Sequence, residues 1–274
     1  MTTEMKLYTF AASTSSEKIR WVLDAAGLRY HEIRLTPFLH LPQNLKLSGG
    51  FTPSVPILEA DGETVQDSTE IIEWLETHRA PFALIPTDPE QRAAVMHLEA
   101  RFDHAGPHVV RAMYATLLEQ RPELVREIWT QDAGRWTGRA LRLGFRPLSY
   151  VFRQGMGLSP VAATYSQRLI ERAMNEIERA ASKQQRYLVG GRFSVADITA
   201  AARLAPLVCP DEHPVFSRED YRDAIAPMVS KWQGRPAFDW VRGIYRRHRR
   251  VHLIRSAMPP VAGAKPRRAR SKTP

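Results

Sequence analysis

The sequence predicts an α/β domain followed by an all-helical one, and three observations carry that expectation. Residues 6–35 read strand, helix, strand; residues 55–78 read strand, turn, strand, helix; and past a proline-rich stretch the apolar periodicity stays helical to about Arg250. A chain of 274 residues, 43% hydrophobic and 25% charged, is long enough to build two ordinary domains with real cores. The expected division is residues 1–79, a linker at 80–89, a helical domain at 90–250 and a basic tail at 251–274.

Each element has its own signature. Lys6 to Phe10 is a short strand-like run, and Ile19, Trp21, Val22, Leu23 and Ala26 then fall at helical spacing until Gly27 supplies a stop. Arg29 to Leu35 alternates polar with apolar residues and predicts a second strand, parallel to the first because a helix joins them. Thr36 to Phe51, with two prolines and Gly49-Gly50, has room for at most a short helix. Val55–Glu59 and Glu63–Gln66 flank Ala60-Asp61-Gly62, an Asp-Gly hairpin signal. Asp67 or Ser68 then suits the N-cap of a helix whose apolar face is Ile71, Ile72, Trp74 and Leu75. The three prolines between Ala80 and Pro89 mark a linker. In the second half, Tyr165–Ala181 and Val195–Leu207 are the clearest helices, and residues 133–160, with five arginines and no acid, predict an insertion or helix pair with a basic, solvated face.

The net charge of +10 looks like a nucleic-acid signal until it is located. From Arg246 to Pro274 there are ten Lys or Arg and no acid, which leaves 29 of each sign in residues 1–245. The body is therefore neutral overall, acidic over residues 1–90 and basic over 91–245. The tail has a disordered composition; it can touch anionic lipid or nucleic acid by charge, but a solubilising role is expected and no specific nucleic-acid partner. No apolar run approaches the roughly 18 residues of a membrane span, and Met1–Phe10 does not read as a signal peptide. A soluble, cytoplasmic protein is expected. One cysteine, Cys209, excludes an intramolecular disulfide and fits a small apolar packing role.

Four segments resemble the glutathione transferase superfamily, whose fold joins a thioredoxin-like domain to a helical one. They are Leu7–Gly27, Thr52–Leu58 with its Val55-Pro56 pair, Val65–Ile72 with its Asp67-Ser68 pair, and Gly191–Ile198. The resemblance implies glutathione as co-substrate, with a cis Pro56 presenting Val55 to the tripeptide as an added strand would be presented, and Asp67 and Ser68 holding its glutamyl end. Both of the latter residues also suit plain helix capping. In the Ala11–Ser16 loop, Ser13 falls where serine-type members keep their catalytic hydroxyl, with Ser15 and Ser16 as the next candidates; Tyr8 lies one residue from the position of tyrosine-type members, hence on the opposite strand face, and is expected to pack. With no loop cysteine, chemistry through a protein disulfide is disfavoured.

By the same resemblance, the first long helix of the second domain lines the pocket for the electrophile, which puts His104, His108, Arg111 and Tyr114 forward. Asp103, His104 and His108 invite a metal reading, but Gly106-Pro107 is expected to disturb that helix and no third, distant ligand is identifiable. Ser194 and Asp197 form a capping box, a structural device. The expected function is activation of the glutathione thiolate for attack on a small hydrophobic electrophile, with isomerase or other glutathione chemistry also open, in a homodimer without metal. One rival is a binding or scaffold protein of the same fold that has lost activity; a second is a nucleic-acid or membrane-surface binder acting through residues 258–274. Gln66, the segment Gly49–Ser54 and residues 133–160 depart from the family pattern.

Overall fold

Two strands joined by one helix must lie parallel, and a tight hairpin must lie antiparallel, so the first 78 residues dictate a mixed sheet. The computed structural model describes residues 5–47, 49–50, 52–79, 81–182 and 185–249; the basic tail lies outside them. The sheet is built from β1 (Met5–Thr9), β2 (Tyr30–Arg34), β3 (Ile57–Ala60) and β4 (Glu63–Gln66) in the order β2-β1-β3-β4. β1 pairs in parallel with β2, Tyr8 beside Ile33, and antiparallel with β3, Tyr8 beside Ile57. Asp61 (φ 54°) and Gly62 (φ 83°) both lie in the left-handed region, as a two-residue hairpin turn between twisted strands requires.

Three helices accompany the sheet: α1 (Thr14–Ala25), α2 (Leu41–Leu47) and α3 (Ser68–His78). Gly27 (φ 68°) ends α1 in the conformation that an L side chain resists. Ile19, Trp21, Val22 and Leu23 of α1 and Ile71, Ile72 and Leu75 of α3 are fully buried, so both helices press the same layer against the sheet.

The rest is helical: α4 (Pro89–Gln120), α5 (Pro122–Thr130), α6 (Arg135–Leu143), α7 (Phe145–Gly155), α8 (Pro160–Ser182), α9 (Val195–Val208), α10 (Glu219–Val229), a single 3₁₀ turn at Ser230–Trp232 and α11 (Pro236–His248). α9 is buried on all sides, packed on α4, α1 and α11, and thus joins the helical layer to the sheet layer. At its start Asp197 accepts from the Ser194 amide and hydroxyl (2.9 and 3.0 Å) and the Leu188 amide (2.9 Å), so the capping box also ties down the preceding loop.

One expectation fails here. Gly106-Pro107 does not interrupt α4, which runs unbroken for 32 residues. A proline within a helix removes one amide donor, but the flanking turns are held by packing against α8 and α9. Gly106 has a different use: a Cβ there would stand 2.5 Å from Cδ of Arg203 on α9, so glycine makes room for that arginine.

Candidate active site

The loop from Phe10 to Ser16 turns directly into α1, and its hydroxyls divide by burial. Ser13 is the N-cap: its Oγ accepts from the Ser16 amide at 3.1 Å, leaving the side chain half-exposed on a cavity. Ser15 Oγ accepts from the Arg203 guanidinium and lines the same cavity. Ser16 is fully buried, its Oγ accepting from the Phe10 amide at 3.4 Å, so it shapes the loop and does not face the cavity. Tyr8 packs with Leu35 and Ile57, donates to Glu59 Oε2 at 2.6 Å and stays off the cavity wall; burial, then Glu59, push its phenol above its ordinary range.

The Val55-Pro56 bond is cis, and β3 begins only at Ile57, so Val55 stands at the cavity rim ahead of the ladder. The residues that depart from the family pattern hold this rim. Gln66 Nε2 donates to the carbonyls of Thr52 (3.0 Å) and Ser54 (2.8 Å), and Asn44 Nδ2 donates to that of Pro53 (2.9 Å). Asp67 caps α3 through the Thr69 amide (2.8 Å) while its own φ is 77°, an unfavourable conformation for a residue with a Cβ. Ser68, next to it, is only 2% exposed.

Ser68 is buried because it belongs to a polar cluster between the sheet and the helical layer. Lys18 Nζ, itself 0% exposed, donates to Ser68 Oγ (3.0 Å) and Asp103 Oδ1 (2.8 Å) and pairs closely with Glu99. Arg203, 5% exposed, donates through Nη2 to Asp103 Oδ1 (2.5 Å) and through Nη1 to Thr14 Oγ1 (3.0 Å) and Ser15. Burial alone would raise the Asp103 carboxyl, but Lys18 and Arg203 beside it hold it below the usual range. Two cations, Lys18 and Arg203, and two carboxylates, Glu99 and Asp103 of α4, therefore balance across the interface. Sequence reading missed Lys18, Glu99 and Arg203. The signal was a charge inside an otherwise apolar helix pattern, which a lone sequence gives no means to distinguish from a solvated face.

The cavity, about 770 Å³, opens beside this loop. Its far wall is aromatic: Phe38 against Trp129 (ring centroids 4.9 Å), Trp129 against Phe152 (5.1 Å) and Tyr114 against Phe152 (4.7 Å). Trp129 Nε1 donates to the Tyr114 hydroxyl at 3.2 Å, and burial raises the Tyr114 phenol above its ordinary range. Arg203 and Asp132 are the charged residues on the wall; burial raises the Asp132 carboxyl although Arg34 opposes it.

Of the four residues put forward on α4, the cavity wall includes Tyr114 and not His104, His108 or Arg111. Pro107, Val110 and Tyr114 form the facing stripe at helical spacing; His104, His108 and Arg111 form a parallel stripe turned about 100° away. His104 lines a separate groove between α4 and α8, His108 Nδ1 lies 3.1 Å from Ser166 Oγ, and Arg111 Nε donates to the Met156 carbonyl at 2.9 Å. Cys209 lies at the end of α9 with φ 53°, half-buried, and burial pushes its thiol up to about 12. Among the described residues no group of three His, Cys, Asp or Glu side chains is placed to hold a metal, and no helix is long and apolar enough to cross a membrane.

A β2-β1-β3-β4 sheet with a cis proline at one end, joined to a helical layer, defines the thioredoxin-like class of two-layer proteins that carry a helical extension. The chain is similar to the glutathione transferase superfamily, most directly in its N-terminal domain. The family model described as "Glutathione S-transferase, N-terminal domain" matches residues 7–83. A maleylacetoacetate isomerase from Pseudomonas aeruginosa is 34% identical over 149 residues, 50% of this chain and 66% of that relative, so the alignment spans just under two thirds of its length. A maleylacetoacetate isomerase from Rattus norvegicus is 23% identical over 212 residues, 73% of this chain and 76% of the relative. Among solved structures, the beta-etherase LigF from Sphingobium sp. strain SYK-6 aligns with a TM-score of 0.58 at 23% identity, over 88% of this chain and 98% of that one. A glutathione S-transferase from Methylobacillus flagellatus with glutathione bound gives 0.52 at 21% identity, over 87% and 98%. At those identities the likeness is one of fold.

Proposed function

We propose that the protein is a glutathione-dependent enzyme whose thiolate attacks a flat, apolar electrophile held against the aromatic wall. The observation that carries this reading is the adjacency of the Ser13–Ser15 edge to that wall within one cavity. Glutathione docks along Val55 and Pro56 with its glutamyl end toward Asp67 and Ser68. Its sulfur then faces Ser13 and Ser15 at the start of α1. A free thiol of this kind has a pKa of about 8.5. The helix terminus favours the anion by about 0.3–2 kcal/mol, Ser13 offers a hydroxyl donor, and the Arg203 guanidinium, paired with Asp103, donates to Ser15 from behind. The thiol gives its proton to water, a sulfur lone pair forms the C–S bond, and the leaving group departs with the electron pair of the bond that breaks.

Transfer is favoured over isomerisation of a maleyl-type substrate. A dicarboxylate entering the cavity would meet Asp132 and a single arginine already paired with Asp103. The reading also includes a homodimer, a cytoplasmic location and a division between residues 79 and 90. The scaffold alternative is favoured by one observation: Ser68 is buried and its hydroxyl is already engaged by Lys18.

Titration of the glutathione thiolate by its ultraviolet absorbance in the complex tests the proposal. The thiol should ionise about one to two pH units below the free tripeptide. Ser13→Ala should remove part of that shift and Arg203→Met a further part, with kcat/KM on aromatic halides falling more at pH 6.5 than at pH 9 (about tenfold at the lower value). Ionisation no easier than in free solution, or turnover of an unsaturated diacid but of no aromatic electrophile, would overturn it. Failure to be retained by immobilised glutathione at any pH would support the scaffold.

A further inference from the structure

We infer that the α6–α7 pair is a docking face for an anionic lipid surface. Residues 133–170 contain no acid, while Arg135, Arg139, Arg142 and Arg146 all stand exposed on these two helices. Large apolar side chains stand among them: Trp136 is 73% exposed, Leu143 89%, Tyr150 64% and Val151 63%. Arg135 and Arg139 lie 5.9 and 5.3 Å from the centre of the Trp136 ring, so on α6 charge and apolar surface adjoin.

This combination is not what a solvated helix shows. On a merely soluble face the apolar residues turn inward, and α6 and α7 already have an inward face: Gly138 and Leu141 are buried, and Phe145, Leu148 and Phe152 pack on the core. The outer apolar residues are therefore additional to what folding requires. Helices that lie in a membrane interface pair arginine with Trp and Leu in this way, the cations meeting headgroups and the apolar groups the acyl boundary. Each arginine near an anionic leaflet contributes about 1 kcal/mol.

Charge also selects among occupants. A second copy meeting this face in a two-fold contact would set four arginines against four, with no acid on either side. Nucleic acid satisfies the arginines and can stack on Trp136, but it leaves Leu143 and Val151 with nothing apolar to bury against. A bilayer serves both. α7 also carries Phe152 and Gly155 on the cavity wall, so the docking face and the cavity share one helix.

The full chain is to be tested by co-sedimentation with phosphatidylglycerol–phosphatidylcholine vesicles, phosphatidylcholine vesicles and duplex DNA. It should partition onto the anionic vesicles and not the neutral ones. Arg139→Gln with Arg142→Gln should weaken that partition roughly 30-fold, and Trp136→Ser with Leu143→Ser roughly tenfold or more. A blue shift of Trp fluorescence on vesicle addition should disappear in Trp136→Phe. These side chains are exposed, so the variants keep the parent melting curve and the comparison stays valid. Absence of anionic-vesicle binding, binding that both double variants leave unchanged, or binding to DNA without binding to vesicles would each overturn the inference.

Discussion

Burial is inverted in two regions of this molecule, and the two inversions teach different things. At the interface of α1, α3, α4 and α9, Lys18, Glu99 and Arg203 are taken out of water, with Asp103 partly covered beside them, where apolar side chains would pack as well. On α6 and α7, Trp136, Leu143 and Tyr150 are left in water where charged ones would serve. A buried ion pair gains little net stability, because desolvation offsets most of the attraction. Its retention is explained by position: the cluster grips Ser15 and Ser68, the two hydroxyls at opposite ends of the proposed glutathione site. The exposed apolar face has no such internal partner, and points outward to something that would cover it.

Three measurements sharpen or break that contrast. The largest effect is expected at Glu99. Glu99→Leu leaves two buried cations facing one carboxylate and should cost about 3–5 kcal/mol, whereas Lys18→Met combined with Glu99→Leu should recover most of the loss; a single variant as stable as the parent in urea would refute the cluster's balance. A smaller effect is expected at Asp197, another buried carboxylate. Its removal strips acceptors from the Leu188 and Ser194 amides, so Asp197→Ala should cost about 1–3 kcal/mol while sparing glutathione affinity in the folded fraction; an unchanged melting curve contradicts this. The smallest belongs to the outer face: Trp136→Ser with Leu143→Ser should change stability by no more than about 0.5 kcal/mol, and a clear drop in Tm would mean that these residues support the fold.

Much of this was legible in the residues, for reasons that are local. The hairpin at Asp61-Gly62, the stop at Gly27, the N-cap at Asp67 and the capping box at Asp197 each depend on chemistry within a few positions. Gln66 and the Gly49–Ser54 segment, which looked like two separate departures, prove to be one, since Gln66 bonds the carbonyls of Thr52 and Ser54 across the rim. What escaped was rotational. His104, His108 and Arg111 share a helix with the cavity wall but lie one position out of phase, and a helix converts one position into about 100°.

The order of strands and helices, the turn chemistry between them and the serine-bearing loop at the start of α1 follow from local residues, because backbone preference and apolar period act over a few neighbouring positions. Tertiary packing brought Arg203 to that loop, 188 positions separating it from Ser15, and Glu99 to Lys18 further along α1. It also decided that Gly106 would clear space for Arg203 and that Phe38, Trp129 and Phe152 would meet in one wall. Those partners are set by how helices pack and rotate against one another, and packing is a property of surfaces that no single stretch of chain contains.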